Sequence, residues 1–178
     1  MRVVLLFLTV YLAAVAETVL VDVIRVGEVT PDLLALVAVV WLLTAGGPRA
    51  FLVAGAVALV GDLIAPGRLG VGTAWMLLVG YGVVRLRLCF RAATNGRGFT
   101  GAQLLWQVPM VAAAVTVWAA AVGLTARLLG DASLPWSTIL TRSAGVGIYT
   151  AGVALPVLMV IGWIREPLLA RRRKRAEF

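Results

Sequence analysis

The stretch VAAAVTVWAAAVGL, residues 111 to 124, is apolar or small on every face and carries no charge. Strands of a membrane barrel alternate apolar and polar residues, whereas a helix that is apolar all round is typical of a segment surrounded by lipid or by other helices. Lipid offers the backbone no hydrogen-bond partners, so only helices and closed barrels span membranes. The stretch therefore predicts an all-α integral membrane protein.

The composition extends this prediction to the whole chain. Hydrophobic residues make up 62% of the 178 residues and charged residues 13%, whereas a soluble domain has about half and about a quarter. A bilayer-spanning helix needs about 20 residues, so a chain of this length holds at most about six or seven spans. We expect one integral membrane domain over residues 1–178, built as a bundle of about six transmembrane helices.

Charged loops and Gly/Pro clusters divide the chain into six predicted spans. The second, third and fourth hold only about 11 to 16 residues each, or roughly 16 to 24 Å, against a bilayer core of about 30 Å. The turn Pro66-Gly67-Arg68 joins the third and fourth spans into a helical hairpin, and polar loops are expected at 85–103 and 127–142. The predicted spans are 3–24, 33–43, 51–65, 69–84, 104–126 and 144–164.

The basic residues predict the orientation. With a cytoplasmic start, twelve of the 16 Lys and Arg residues fall on the inner side and four on the outer side. Cytoplasmic loops carry an excess of Lys and Arg, so both termini are predicted to be cytoplasmic. The basic tail, residues 165–178, is expected to bind anionic membrane lipids through the run 171–175. Because topology and lipid already account for this run, nucleic acid is not an expected partner.

The residue types argue against catalysis. The chain has no histidine, and its three serines, Ser133, Ser137 and Ser143, lie far in sequence from the single lysine, Lys174. The commonest general base and metal ligand is therefore absent, and no serine has a lysine or histidine base nearby. Cys89 is the single cysteine, so no internal disulfide can form. We expect no enzyme activity, no cofactor and no metal site.

Acidic residues inside predicted spans are functional candidates, because ionisable groups in hydrocarbon cost several kcal/mol. Glu17 is the deepest, and Ala13, Glu17 and Val21 share one helical stripe. We expect this stripe to line a groove for a partner helix or a lipid-like ligand. The alternative is a first span shifted outward, with Glu17 near the headgroups. Asp62 is expected to close the third and fourth spans into their hairpin by pairing with Arg68.

Small residues recur at helix-packing spacing, and close packing within the bundle explains most of them. The pairs are Ala54 with Ala58 and Gly147 with Ala151.

A family layout is visible in residues 31 to 87. It consists of Pro31-Asp32-Leu33-Leu34 before the second span, Gly55 and Asp62 in the third, Leu69-Gly70 before the fourth, and Gly80-Tyr81 with Arg85-Leu86-Arg87 at its end. In length, span order and motif positions the chain resembles MreD, the rod shape-determining membrane protein of bacteria. The family-motif positions are Pro31, Asp32, Gly55, Asp62, Gly70 and Tyr81.

The resemblance implies a nonenzymatic scaffold of the cell-elongation machinery in the bacterial cytoplasmic membrane. Its main partner would be an MreC-like single-span protein, with RodA, a penicillin-binding transpeptidase and MreB as further partners in rod shape and peptidoglycan synthesis. MreD-like families are also similar in fold to the substrate-binding subunits of energy-coupling-factor transporters, so a vitamin-type transport subunit is the alternative. Against transport, the sequence shows no cluster of polar residues at the midplane.

Overall fold

The computed structural model describes residues 2–19, 23, 29–45, 48–65, 69–93, 101–130 and 135–176. These ranges form six α-helices and no strand, which confirms the all-α prediction. The helices are α1 (Arg2–Val19), α2 (Leu33–Ala45), α3 (Pro48–Ile64), α4 (Val71–Ala93), α5 (Gly101–Leu128) and α6 (Trp136–Ala176).

Three helices are long and apolar enough to cross a membrane, which supports a membrane protein. They contain Val71–Cys89 in α4, Trp106–Leu128 in α5 and Trp136–Ile161 in α6. Two shorter apolar helical segments, Phe7–Val19 and Leu33–Ala45, belong to α1 and α2.

The predicted polar loops were too long. The helix α4 continues to Ala93 and α5 already begins at Gly101, so most of 85–103 is helical. Likewise α6 begins at Trp136 within the loop predicted at 127–142, and it runs on through the basic tail to Ala176. Hydropathy marks where a helix stops being apolar, whereas Arg, Leu and Ala favour helix whether or not lipid surrounds them.

The helix α2, the shortest of the six described helices, lies at the centre of the bundle. It contacts all five other helices, and eight of its 13 residues are buried. Side chains of α3, α4, α5 and α6 complete the same core, among them Val57, Met76, Val115 and Leu158. A helix of about 20 Å thus forms the axis around which the longer helices pack.

Polar side chains form hydrogen bonds with backbone groups at both ends of α2. At its start, Asp32 Oδ1 accepts a hydrogen bond from Ala35 N at 2.6 Å, and Glu17 of α1 accepts one from Leu34 N at 3.2 Å. At its end, Arg87 of α4 donates to Leu42 O at 3.1 Å. Helix ends carry unpaired N–H and C=O groups with a positive partial charge at the start and a negative one at the finish. Carboxylates and a guanidinium are therefore placed at the ends whose partial charges they complement.

The small residues lie where helices approach closely. Ala54 and Ala151 are buried. A Cβ atom on Gly147 of α6 would collide with Thr116 Oγ1 of α5 and lie 2.8 Å from the backbone oxygen of Ala112. These positions are used for packing within the bundle, as expected from their spacing.

Candidate functional site

A cavity of about 580 Å³ opens at one end of the bundle. It lies between the end of α1, the start of α2, the end of α3, the start of α4 and the end of α5, the end that the charge distribution predicts to be outer. Trp118 is one of its deeper walls, ten residues before the end of α5 and thus about 15 Å along the helix. Three carboxylates, those of Glu17, Asp32 and Asp62, line the same space.

Glu17 and Asp32 meet at the first turn of α2. The sequence places them on different predicted segments, and the packing of α1 against α2 brings them together. Each accepts a hydrogen bond from the backbone there, as described above, and the backbone N–H of Asp32 donates to Thr150 Oγ1 of α6 at 3.1 Å. Thr150 is fully buried. The start of α2 is thus tied to α1 on one side and to α6 on the other.

Asp62 holds the start of α4. Its Oδ2 accepts hydrogen bonds from Gly70 N at 3.0 Å, Thr73 N at 2.9 Å and Thr73 Oγ1 at 2.8 Å. This is a cap on the first turn of a helix, supplied by the preceding helix of the hairpin. Gly70 has a φ of 90°, a conformation that favours glycine. Arg68, the predicted partner of Asp62, lies outside the described residues, and the described partners are these backbone and hydroxyl groups.

The wall opposite α1 is fixed by two tryptophans. Trp118 Nε1 donates to the backbone oxygen of Gly72 at 2.9 Å, and Trp75 Nε1 donates to Thr125 Oγ1 at 2.8 Å. Both bonds join α4 to α5. A Cβ atom on Gly72 would collide with Asp62 Oδ1 and lie 3.5 Å from the indole of Trp118. Glycine at position 72 therefore lets the carboxylate and the indole approach the same point.

The electrostatics of the cavity are acidic. None of its described lining residues is Lys or Arg. Burial raises the pKa of Asp32, which precedes α2, to about 6, and hydrogen bonds from Ala35 N and Leu34 N oppose the shift. Asp32 is thus ionised above neutral pH. Among the side chains that the structure describes, no group of His, Cys, Asp and Glu could hold a metal ion.

The structure does not place the three residues of the predicted α1 stripe in one common environment. Glu17 lines the cavity, Ala13 packs against the hydrophobic core, and Val21 lies outside the described residues. The role of this stripe in partner binding stays a prediction.

The family-motif positions have separate surroundings. Pro31 is buried, and a Cβ atom on Gly55 would lie 3.2 Å from Leu77 of α4. Tyr81 is exposed, accepts a hydrogen bond from Arg85 Nε at 2.8 Å and lies under its guanidinium. Only Asp32 and Asp62 of this set line the cavity, as far as the structure describes it.

Sequence reasoning missed the convergence of the polar groups. The three carboxylates lie 15 and 30 residues apart, and no local pattern links them. The prediction that no polar cluster lies at the midplane stays a prediction, because the three carboxylates converge at one end of the bundle. Thr150, Gly72 and Thr125 were not singled out. The one available signal was Trp118, which lies far from any predicted membrane boundary, where tryptophan is usually found.

No family model, curated protein or solved structure matches this chain.

Proposed function

We propose that this protein is a nonenzymatic membrane scaffold that binds the transmembrane helix of a single-span partner. The resemblance to MreD makes the proposed partner MreC-like and the process bacterial cell elongation, with both termini in the cytoplasm. RodA, a penicillin-binding transpeptidase and MreB would join through that partner.

The observation that carries the proposal is that charged side chains in or next to the helices form hydrogen bonds with helix ends. Glu17, Asp32 and Asp62 cap the starts of α2 and α4, and Arg87 caps the end of α2. A catalytic carboxylate needs a reacting group within hydrogen-bond reach and a pKa matched to its task. Side chains engaged with the backbone instead order the bundle. A chain that uses its intramembrane charges to order helices is suited to presenting a rigid surface to other membrane proteins.

Affinity purification of the full-length chain in a mild detergent tests the proposal. We expect recovery of a single-span protein of the cell-elongation machinery. Recovery of an energy-coupling ATPase instead, with no cell-shape protein, would contradict the scaffold function.

Thiol labelling tests the position of the partner. In a Cys89→Ser background, cysteine is placed at position 13, 17 or 21 and exposed to a membrane-impermeant reagent. A groove predicts labelling at 17 that a bound partner prevents. Labelling at all three positions with or without the partner indicates an outward-shifted α1 and removes the groove from the proposal.

A second candidate is the substrate-binding subunit of a small-molecule transporter. The cavity of about 580 Å³ favours it, because pockets for small molecules have volumes of about 300 to 1,000 Å³. Co-purification of a vitamin with an energy-coupling ATPase distinguishes this function from scaffolding.

A further inference from the structure

The cavity between α1 and α5 is too large to be explained by helix capping alone. The caps require only that carboxylates reach the first turns of α2 and α4, and tight packing would serve that purpose equally. At about 580 Å³, the space exceeds by many times the roughly 30 Å³ that one water occupies in the liquid. It has the size of a ligand site, and its lining indicates the chemistry of the ligand.

The walls are mostly apolar. Ala58 and Met76 are buried members of the hydrophobic core that also border the cavity, and Val122 and Leu129 extend the apolar wall along α5. The indole of Trp118 is held in place by its bond to Gly72. These surfaces suit an apolar or aromatic body.

The side-chain donors of the described lining are already engaged. Trp118 Nε1 donates to Gly72, and Thr125 Oγ1 donates to Ala121 O at 2.8 Å while accepting from Trp75. An anion entering the cavity would find neither of these donors free.

The carboxylate acceptors of the cavity can still accept hydrogen bonds. Glu17 binds Leu34 N through Oε2, and Asp62 binds its three donors through Oδ2. No described residue donates to the other oxygen of either carboxylate. With no described Lys or Arg in the lining, two carboxylates in a largely apolar space retain capacity for a positive donor.

We propose that this cavity binds an organic cation, a protonated or quaternary amine on an apolar body. The charged head lies among Glu17, Asp32 and Asp62, and the body lies against Met76, Val122 and the face of Trp118. A carboxylate in low dielectric attracts a cation strongly, and an indole face adds a cation–π contribution. The ligand binds the chain by itself, so this site does not depend on the scaffold partner.

Binding to the purified full-length protein in neutral detergent at pH 8, where Asp32 is ionised, tests the site. The probes are benzyltrimethylammonium and phenethylammonium, compared with the neutral 3-phenylpropanol and the anionic 3-phenylpropionate. We expect saturable calorimetric binding and a raised Tm with the cations, with Kd at least tenfold lower than for either comparison compound. Equal affinity for all probes, or no saturable binding of either cation, overturns the proposal.

Two pairs of variants assign the binding to this cavity. Glu17→Gln keeps an oxygen that can accept from Leu34 N but removes the ionisable carboxyl group, so we expect at least a tenfold rise in Kd for the cations. Its control is Glu166→Gln, on the far part of α6, about 24 Å along the helix from Thr150. An unchanged Kd in Glu17→Gln overturns the assignment.

Val122→Phe fills the cavity without a change of charge, and we expect it to abolish binding. Val117→Phe makes the same substitution on the exposed side of α5, and it should bind as the unmodified protein does. This pair decides the question should Glu17→Gln fail to fold. Binding that persists in Val122→Phe places the ligand elsewhere and overturns the proposal.

Discussion

The helices α1 and α2 each contain a short apolar segment, Phe7–Val19 and Leu33–Ala45, yet they occupy opposite environments. Most of the large side chains that the structure describes on α1 are exposed, including Phe7, Tyr11 and Leu12, and α1 contacts only α2 and α3 among the described helices. The helix α2 is buried among all the others. Apolar composition therefore does not by itself indicate whether a helix is exposed or buried in the bundle.

The ends of the helices distinguish the two cases. A helix of 13 residues spans about 20 Å, too short to carry its terminal N–H and C=O groups through a bilayer core of about 30 Å. Unsatisfied backbone groups in hydrocarbon cost several kcal/mol each. At the ends of α2, the side chains of Glu17, Asp32 and Arg87 form hydrogen bonds with backbone groups and so reduce this cost. Its central position is thus made possible by polar residues that lie outside it.

The largest test of this comparison removes the same side chain from each helix. Leu42 of α2 is fully buried and Leu12 of α1 is 56% exposed. We expect Leu42→Ala to lower the free energy of unfolding by about 2–5 kcal/mol, because it leaves a cavity in the core. Leu12→Ala should change it by about 0.5 kcal/mol or less. Denaturation in mixed micelles measures both, and equal losses would show that α2 is not the packing centre.

The next test concerns the finish of α2. Arg87→Met removes the donor to Leu42 O, and we expect a loss of about 1.5–3 kcal/mol, the range for hydrogen bonds to charged groups. Arg85→Met, two residues earlier on the exposed side of α4, should cost about 0–1 kcal/mol. The same micelle titration compares them. A loss in Arg85→Met as large as in Arg87→Met would mean that the contact with Leu42 O contributes nothing specific.

Removing the cap at the start of α2 is expected to have a smaller effect on the free energy of unfolding. Asp32→Ala removes the cap on Ala35 N and should lower the free energy of unfolding by about 1 kcal/mol, within a range of about 0.5–2. Asp32→Asn keeps an oxygen acceptor and should retain most of the stability. The measurement is the difference between the two variants in thermal unfolding. Identical Tm values for Asn and Ala would show that the cap does not stabilise α2.

The smallest test uses two glycines of α4. A Cβ atom on Gly80 would lie 2.8 Å from Leu42 Cδ1, whereas one on Gly82 would meet nothing within 4 Å. Gly80→Ala should destabilise the protein by about 1 kcal/mol, because Leu42 must move. Gly82→Ala should stabilise it by up to about 1 kcal/mol through helix propensity. Tm shifts of the same sign for both would contradict this packing.

The sequence predicted the class and order of the helices better than their bounds. Six apolar runs correspond in order to six helices because charged and Gly/Pro-rich segments separate them. The bounds at Ala93 and Trp136 were missed, since helices continue through residues that hydropathy assigns to water.

For the candidate site, sequence reasoning identified its acidic members but not their common location. Glu17 and Asp62 were found because a charge inside an apolar run is unusual. Their convergence with Asp32 depends on which helices pack against each other. The helices have apolar faces without distinct stripes, so the sequence does not indicate which of them are neighbours. The short length of the second span was visible, but its consequence, a central helix capped by its neighbours, required the packing of α1, α4 and α6 around it.

The two indole hydrogen bonds between α4 and α5 cross-link one wall of the cavity at two points. Thr125 and Trp118 lie seven residues apart on α5, about 10 Å along its axis, so the two bonds act as rungs at different heights. The helix α1, by contrast, is joined to the cavity lining by one described hydrogen bond, from Leu34 N to Glu17, and its small residues Ala13 and Ala14 pack against the hydrophobic core. Of the walls of the cavity, the one formed by α4 and α5 is therefore the more strongly cross-linked by the described hydrogen bonds.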